Sequence, residues 1–130
     1  MTLSRKTGPL GIPSPDPEIT IFRSFVLETF AVMLITIVRV TLMIDSKKFR
    51  DVSGLAVGAT YATFVMAIAP LTGACLNPAR SLGSLFILDQ VAANGQFVMA
   101  LAPFVGSYLG MLIYKKFLIS EQLQDELEEL

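Results

Sequence analysis

The sequence predicts an all-α membrane protein with three transmembrane helices and one re-entrant half-helix. Three observations carry that reading. The 130 residues are 53% hydrophobic and 16% charged, whereas soluble domains carry about 25% charged residues, and the mean hydropathy is +0.63. Three apolar runs are long enough to cross a bilayer core of roughly 30 Å. A fourth apolar stretch, "LTGACLNPARSLGSLFIL", is broken by Gly73, Asn77 and Pro78 and holds Arg80.

Residues 1–20 contain four prolines and two glycines, a composition that excludes regular helix and reads as an extended loop. This segment also lacks the apolar core of a secretory signal. Residues 24–44 form the first spanning run, with Glu28 near one end and Arg39 near the other. Arg39 lies about one turn inside its helix, and snorkelling to the interface is the expected behaviour. "DSKKFRD" (45–51) is a short charged loop.

No charged residue occurs between Val52 and Ala79. Pro70 and Gly73 divide this stretch. Residues 52–69 are expected to be the second spanning helix, and Leu71 to Leu76 to be non-helical. Residues 78–88 then form a helix that at 1.5 Å per residue crosses only about half the membrane. Non-helical backbone at membrane depth survives only when buried in protein or lining a cavity. "DQVAANG" (89–95) reads as a turn, and residues 96–114, with Pro103 inside, as the third spanning helix. Five acidic residues among the last ten make 120–130 an acidic tail, read as a solvated helix end.

The chemistry sits in "NPAR". Asn is a preferred N-cap and Pro a preferred first helical residue, so Asn77-Pro78-Ala79 is a well-formed helix start. Opening a half-length helix, it puts the positive helix end near mid-membrane. There the Asn77 amide can donate to a passing oxygen. Arg80, one turn inside, is a charge of the kind that faces water or a polar partner in membranes. Together they suit neutral hydrogen-bonding molecules and oppose cations, protons included. Other classes are disfavoured. Net charge is −1, which argues against a nucleic-acid partner. One cysteine, Cys75, allows no intrachain disulfide, and the absence of histidine excludes His-based metal sites and triads. With no nucleophile–base pair, metal cluster or phosphate loop, neither an enzyme nor a cofactor is expected.

"TGACLNPARSLG" closely resembles the second signature loop of the aquaporins, the major intrinsic protein family. "FVLETF" is similar to that family's fourth helix with its buried glutamate, "DSKKFRD" to its basic cytoplasmic loop, and "APFVG" (102–106) to the "GPxxG" of its sixth helix. The resemblance covers one half of an inverted-repeat bundle, helices four to six with the second NPA loop. Residues 1–20 resemble the preceding extracellular loop. The first three helices and the first NPA loop have no counterpart.

This resemblance implies roles. Asn77 orients water at the channel midpoint, and Arg80 forms part of the outer constriction. Val65 and Ala74 occupy two further constriction positions, and both are apolar here. The backbone carbonyls of Gly73, Ala74, Cys75 and Leu76 form an acceptor ladder. Glu28 anchors the loop, although its spacing to the basic loop is one residue longer than usual and "TF" follows it directly. Cys75 sits beside the mercury-sensitive position of some members, or is a small packing residue. Subtype signals conflict, because Ser81 follows Arg80 as in water-type members, whereas Met99 and Ala100 replace the aromatic pair typical of that type. Gly54/Gly58 and Gly106/Gly110 have the GxxxG spacing that permits close helix contact.

The implied function is passive passage of water and small neutral solutes through an integral membrane protein. The partners are membrane lipid and either a first-repeat half or a homo-oligomer, a tetramer as in the family. The chain is expected to be incomplete alone, and truncation is favoured over a separately encoded first half or two opposed copies. The alternative is a non-transporting product that associates with full-length channels. Lys47, Lys48, Arg50, Lys115 and Lys116 against Arg5, Lys6 and Arg23 place the 45–51 loop and the acidic tail on the cytoplasmic side.

Overall fold

The computed structural model describes residue 13 and residues 15–45, 50–84 and 90–119. Most of the Pro-rich segment, the middle of the basic loop, residues 85–88 of the expected half-helix and the acidic tail lie outside them. Among the described residues the architecture is all-helical. Helix α1 is Ile21–Val40, α2 is Arg50–Thr72, α3 is Pro78–Ser84 and α4 is Gln90–Ile113. Three helical stretches are long and apolar enough to cross a membrane, Ile21–Met43, Arg50–Thr72 and Phe97–Leu118.

Thr20 caps α1, its hydroxyl accepting from the Arg23 N–H at 3.4 Å, which satisfies one of the donors that every helix start leaves open. The far end of α1 widens into a π-turn at Thr41–Asp45. A π-turn takes in one more residue than an α-turn without breaking the helix. It lies between Glu28 and the basic loop.

Helix α1 starts at Ile21 rather than at 24 and α2 at Arg50 rather than at 52, and two further boundaries differ from the sequence expectation. Helix α2 does not stop before Pro70 but runs through it to Thr72. So close to the helix end, proline removes a single backbone bond, and the Gly73 N–H still reaches the Ala69 carbonyl at 3.0 Å. Gly73, at φ 83°, ends the helix in the left-handed region that glycine tolerates. Helix α4 begins at Gln90, so 90–95 is helical rather than a turn.

Helix α1 packs most extensively on α4, α3 lies against α4, and α2 rests more lightly on α1. The α1–α4 crossing is set by two glycines. A Cβ on Gly106 would fall 2.5 Å from the Thr29 carbonyl oxygen, and one on Gly110 would fall 2.7 Å from that of Met33. Backbones approach this closely only where small residues meet them. Gly54 and Gly58 behave differently, since a Cβ on either would meet nothing within 4 Å. Their helix is the least buried of the three and exposes Leu55 and Met66, a surface that suits lipid. The core is a small cluster of Ala31, Val32, Ile68, Ala74 and Leu76, against which Tyr61, Phe64 and Val65 pack.

Gly106→Ala is expected to destabilise the detergent-solubilised chain by about 1–3 kcal/mol through overpacking, while Gly54→Ala and Gly58→Ala leave it unchanged or slightly more stable. Thermal unfolding followed by circular dichroism checks both; equal effects at the two pairs would contradict the crossing described here.

Candidate functional site

Residues 73–77 connect α2 to α3 without regular structure. Two of them are non-glycine residues in the left-handed region, Ala74 at φ 45° and Leu76 at φ 51°. Each such residue costs roughly 1–2 kcal/mol. The backbone adopts this shape because it turns the loop N–H groups toward one buried carboxylate. Glu28 Oε1 accepts from the Cys75 N–H at 2.8 Å, and Oε2 accepts from the Leu76 N–H at 2.7 Å. Thr72 donates its hydroxyl to Oε1 at 2.6 Å and accepts the Ala74 N–H at 3.1 Å. Glu28 is 0% exposed, and both its oxygens act as acceptors, the role to which a carboxylate is limited. Bonds to a charged acceptor are worth about 1.5–3 kcal/mol each, which offsets strain in the loop they hold.

Asn77 stands at the hinge between loop and half-helix. Its Oδ1 accepts from the Ala79 N–H at 2.9 Å, and its backbone carbonyl accepts from the N–H groups of Arg80 and Ser81 at 3.1 and 3.4 Å. Because Oδ1 is committed to the cap, the amide NH2 is left to donate elsewhere. Asn77 also lines a groove of about 620 Å³ walled by α1, α2 and α4, together with Leu76 and Pro78. The remaining wall is contributed by Val32, Thr36, Arg39, Tyr61 and Ser107, among others.

Val65, Ala74 and Arg80 do not line this groove. Val65 packs against the cluster that holds Ala74 and Leu76. Ala74 is fully buried, and its carbonyl accepts from Arg80 Nη1 at 3.2 Å. The exposed Arg80 side chain is therefore tied back onto the loop that precedes it. Gly73 is half-buried. Cys75 is 0% exposed, with its Sγ 2.7 Å from Ser81 Oγ and 3.3 Å from the Asn77 carbonyl. Ser81, which in sequence reads as a subtype marker, thus helps shape the loop. Met99 and Ala100 are both buried within the helix packing.

Sequence reasoning does not single out Thr72, Tyr61, Thr36 or Ser107. Thr72 carries a weak signal, a hydroxyl one residue before the loop glycine. The others lie on helices whose facing is set only by packing. Arg39, expected to snorkel, is exposed and also lines the groove.

Three apolar helices folded around a buried, re-entrant segment define a multi-pass integral membrane protein. The family model described as major intrinsic protein matches residues 1–114, and the chain belongs to that family. Aquaporin AqpM of Methanothermobacter thermautotrophicus is 30% identical over 119 residues, covering 88% of this chain and 48% of the relative. Nodulin-26 of Glycine max is 33% identical over 98 residues, 75% of this chain and 35% of the relative. Aquaporin NIP1-2 of Oryza sativa is 40% identical over 70 residues, 54% of this chain and 22% of the relative. The chain thus matches about half the length of AqpM and less of the plant proteins. No solved structure matches it.

Glu28→Gln sets an amide NH2 against an N–H donor, where neither group can accept, and is expected to cost about 2–4 kcal/mol. Hydrogen exchange at the Cys75 and Leu76 amides should accelerate more than exchange in mid-α4. Uniform acceleration along the chain, or none, would contradict the anchoring role.

Proposed function

We propose that the chain is the channel-forming half of an aquaporin-like protein, facilitating passive passage of water and small neutral solutes. The observation that carries this reading is the commitment of Asn77 Oδ1 to the α3 cap, which leaves its NH2 to donate within a groove that Asn77 itself lines. A permeating oxygen would accept from that amide. Carbonyls of Gly73, Cys75 and Leu76 would receive its hydrogens, because Glu28 draws the N–H groups of the same loop to the opposite side. Pro78 and Ala79 start the half-helix whose positive end opposes cations, and Arg80 adds a fixed charge held by Ala74.

The groove has walls from α1, α2 and α4. We assign its closure to a further segment, supplied by a first-repeat half or by another copy of the chain, within a homo-oligomer such as a tetramer. Val65 would supply a small apolar constriction position, with Ala74 packed behind it, wide enough for solutes such as urea or glycerol beside water. A second reading is a non-transporting membrane protein that associates with full-length channels. The bare Gly54/Gly58 face of α2 favours it, as a surface on which another helix could pack closely. Neither reading gives the chain an enzymatic role.

In proteoliposome swelling, the chain alone should give little flux, and the chain completed by a first repeat should pass water and neutral solutes but not ions. Val65→Phe in the completed channel should reduce solute flux more than water flux. Equal loss of both would remove the size argument, and robust water permeability of the single chain would favour assembly from copies of itself.

A further inference from the structure

Arg39 is a charged residue inside a spanning helix, it faces a groove, and it makes no ion pair among the described residues. Such residues in membranes usually face water-filled space and a polar partner. Arg39 borders both the Asn77 groove and a smaller cavity of about 480 Å³ between α1 and α4, and Thr36 and Ser107 border both as well. No carboxylate among the described residues lines either cavity.

The three side chains are gathered by the fold. Thr36 and Arg39 are three residues apart on α1 and so share a face. Ser107 comes from α4, held against α1 by the Gly106 and Gly110 crossing, where a Cβ on Gly110 would lie 3.1 Å from that of Thr36. Thr36 Oγ1 donates to Ser107 Oγ at 3.5 Å. Ser107 has an O–H of its own to give to a third group.

The geometry points to a binding site for a small oxyanion, a carboxylate or phosphate, held by the Arg39 guanidinium with the Ser107 hydroxyl as a second donor. A guanidinium offers a planar fork of N–H groups that matches two oxygens of one anion. Thr36 is a positioning residue that orients the Ser107 proton. The anion comes either from solution or from a lipid headgroup whose phosphate enters between α1 and α4. The site binds whether or not the groove conducts.

The test uses the full chain, labelled with 15N-arginine, in uncharged maltoside micelles. Absence of a peak in Arg39→Lys identifies the Arg39 Nε–H resonance. At constant ionic strength set by sodium chloride, sodium acetate and inorganic phosphate should shift it saturably, while the Arg50 resonance drifts without saturation. Ser107→Ala and Thr36→Val should each weaken the apparent affinity about 3–10-fold, with helical circular dichroism and unfolding temperature unchanged. Titration with dihexanoylphosphatidylglycerol separates the sources. Saturation by the lipid alone assigns the site to headgroup phosphate, and saturation by acetate and phosphate assigns it to soluble anions. An Arg39 shift that parallels Arg50 in every titration overturns the proposal, as does saturation insensitive to both hydroxyl variants.

Discussion

The structure depends on a single buried carboxylate. Glu28 lies on α1, far in sequence from the loop it holds, and takes two consecutive loop N–H groups plus the Thr72 hydroxyl. Inside a membrane these donors have no water to turn to, and each left unpaired would cost several kcal/mol. The carboxylate answers that cost and sets the direction of the loop. With N–H groups drawn to one side, the left-handed residues Ala74 and Leu76 are the conformation the connection requires, and Asn77 is delivered to the start of α3 in position to cap it.

Packing extends this constraint through the bundle. The α1–α4 crossing admits only glycine at positions 106 and 110, so it fixes where α1 stands and therefore where Glu28 stands. The same crossing brings Thr36 beside Ser107. One close helix contact thus positions both the anchor of the loop and the polar wall of the groove. Electrostatics follow from what faces where. The acid is buried against backbone donors, whereas the cations Arg39 and Arg80 lie on exposed surfaces, and the Asn77 groove is lined by positive and neutral groups.

Much of this is legible in the chain. Apolar runs of spanning length give the helices, and the non-helical stretch expected at Leu71 to Leu76 gives the re-entrant break, because both are consequences of composition and chain stiffness alone. The ends of α2 and α4 are less legible. Proline in a last turn costs one bond rather than a helix, and a Gly- and Asn-containing stretch at the start of α4 reads as a turn until the fold places it. Glu28 can be singled out through a resemblance, but its partners cannot be derived, since Thr72 looks like any helical threonine until the fold places it. That Arg39 also borders the groove is not legible for the same reason, since rotation about the helix axis is decided by packing. Both glycine pairs share one spacing, yet only the pair on α4 meets a neighbour among the described residues.

The most direct test is whether the carboxylate and the loop touch in a bilayer. Solid-state NMR dipolar recoupling between 13Cδ of Glu28 and 15N of Cys75 and Leu76 reads that contact. The structure, with O···N separations of 2.8 and 2.7 Å, predicts strong dephasing at both amides and little at the amides of mid-α4. Dephasing absent from both, with the chain still helical and membrane-inserted, would mean that the re-entrant segment is held by something other than Glu28.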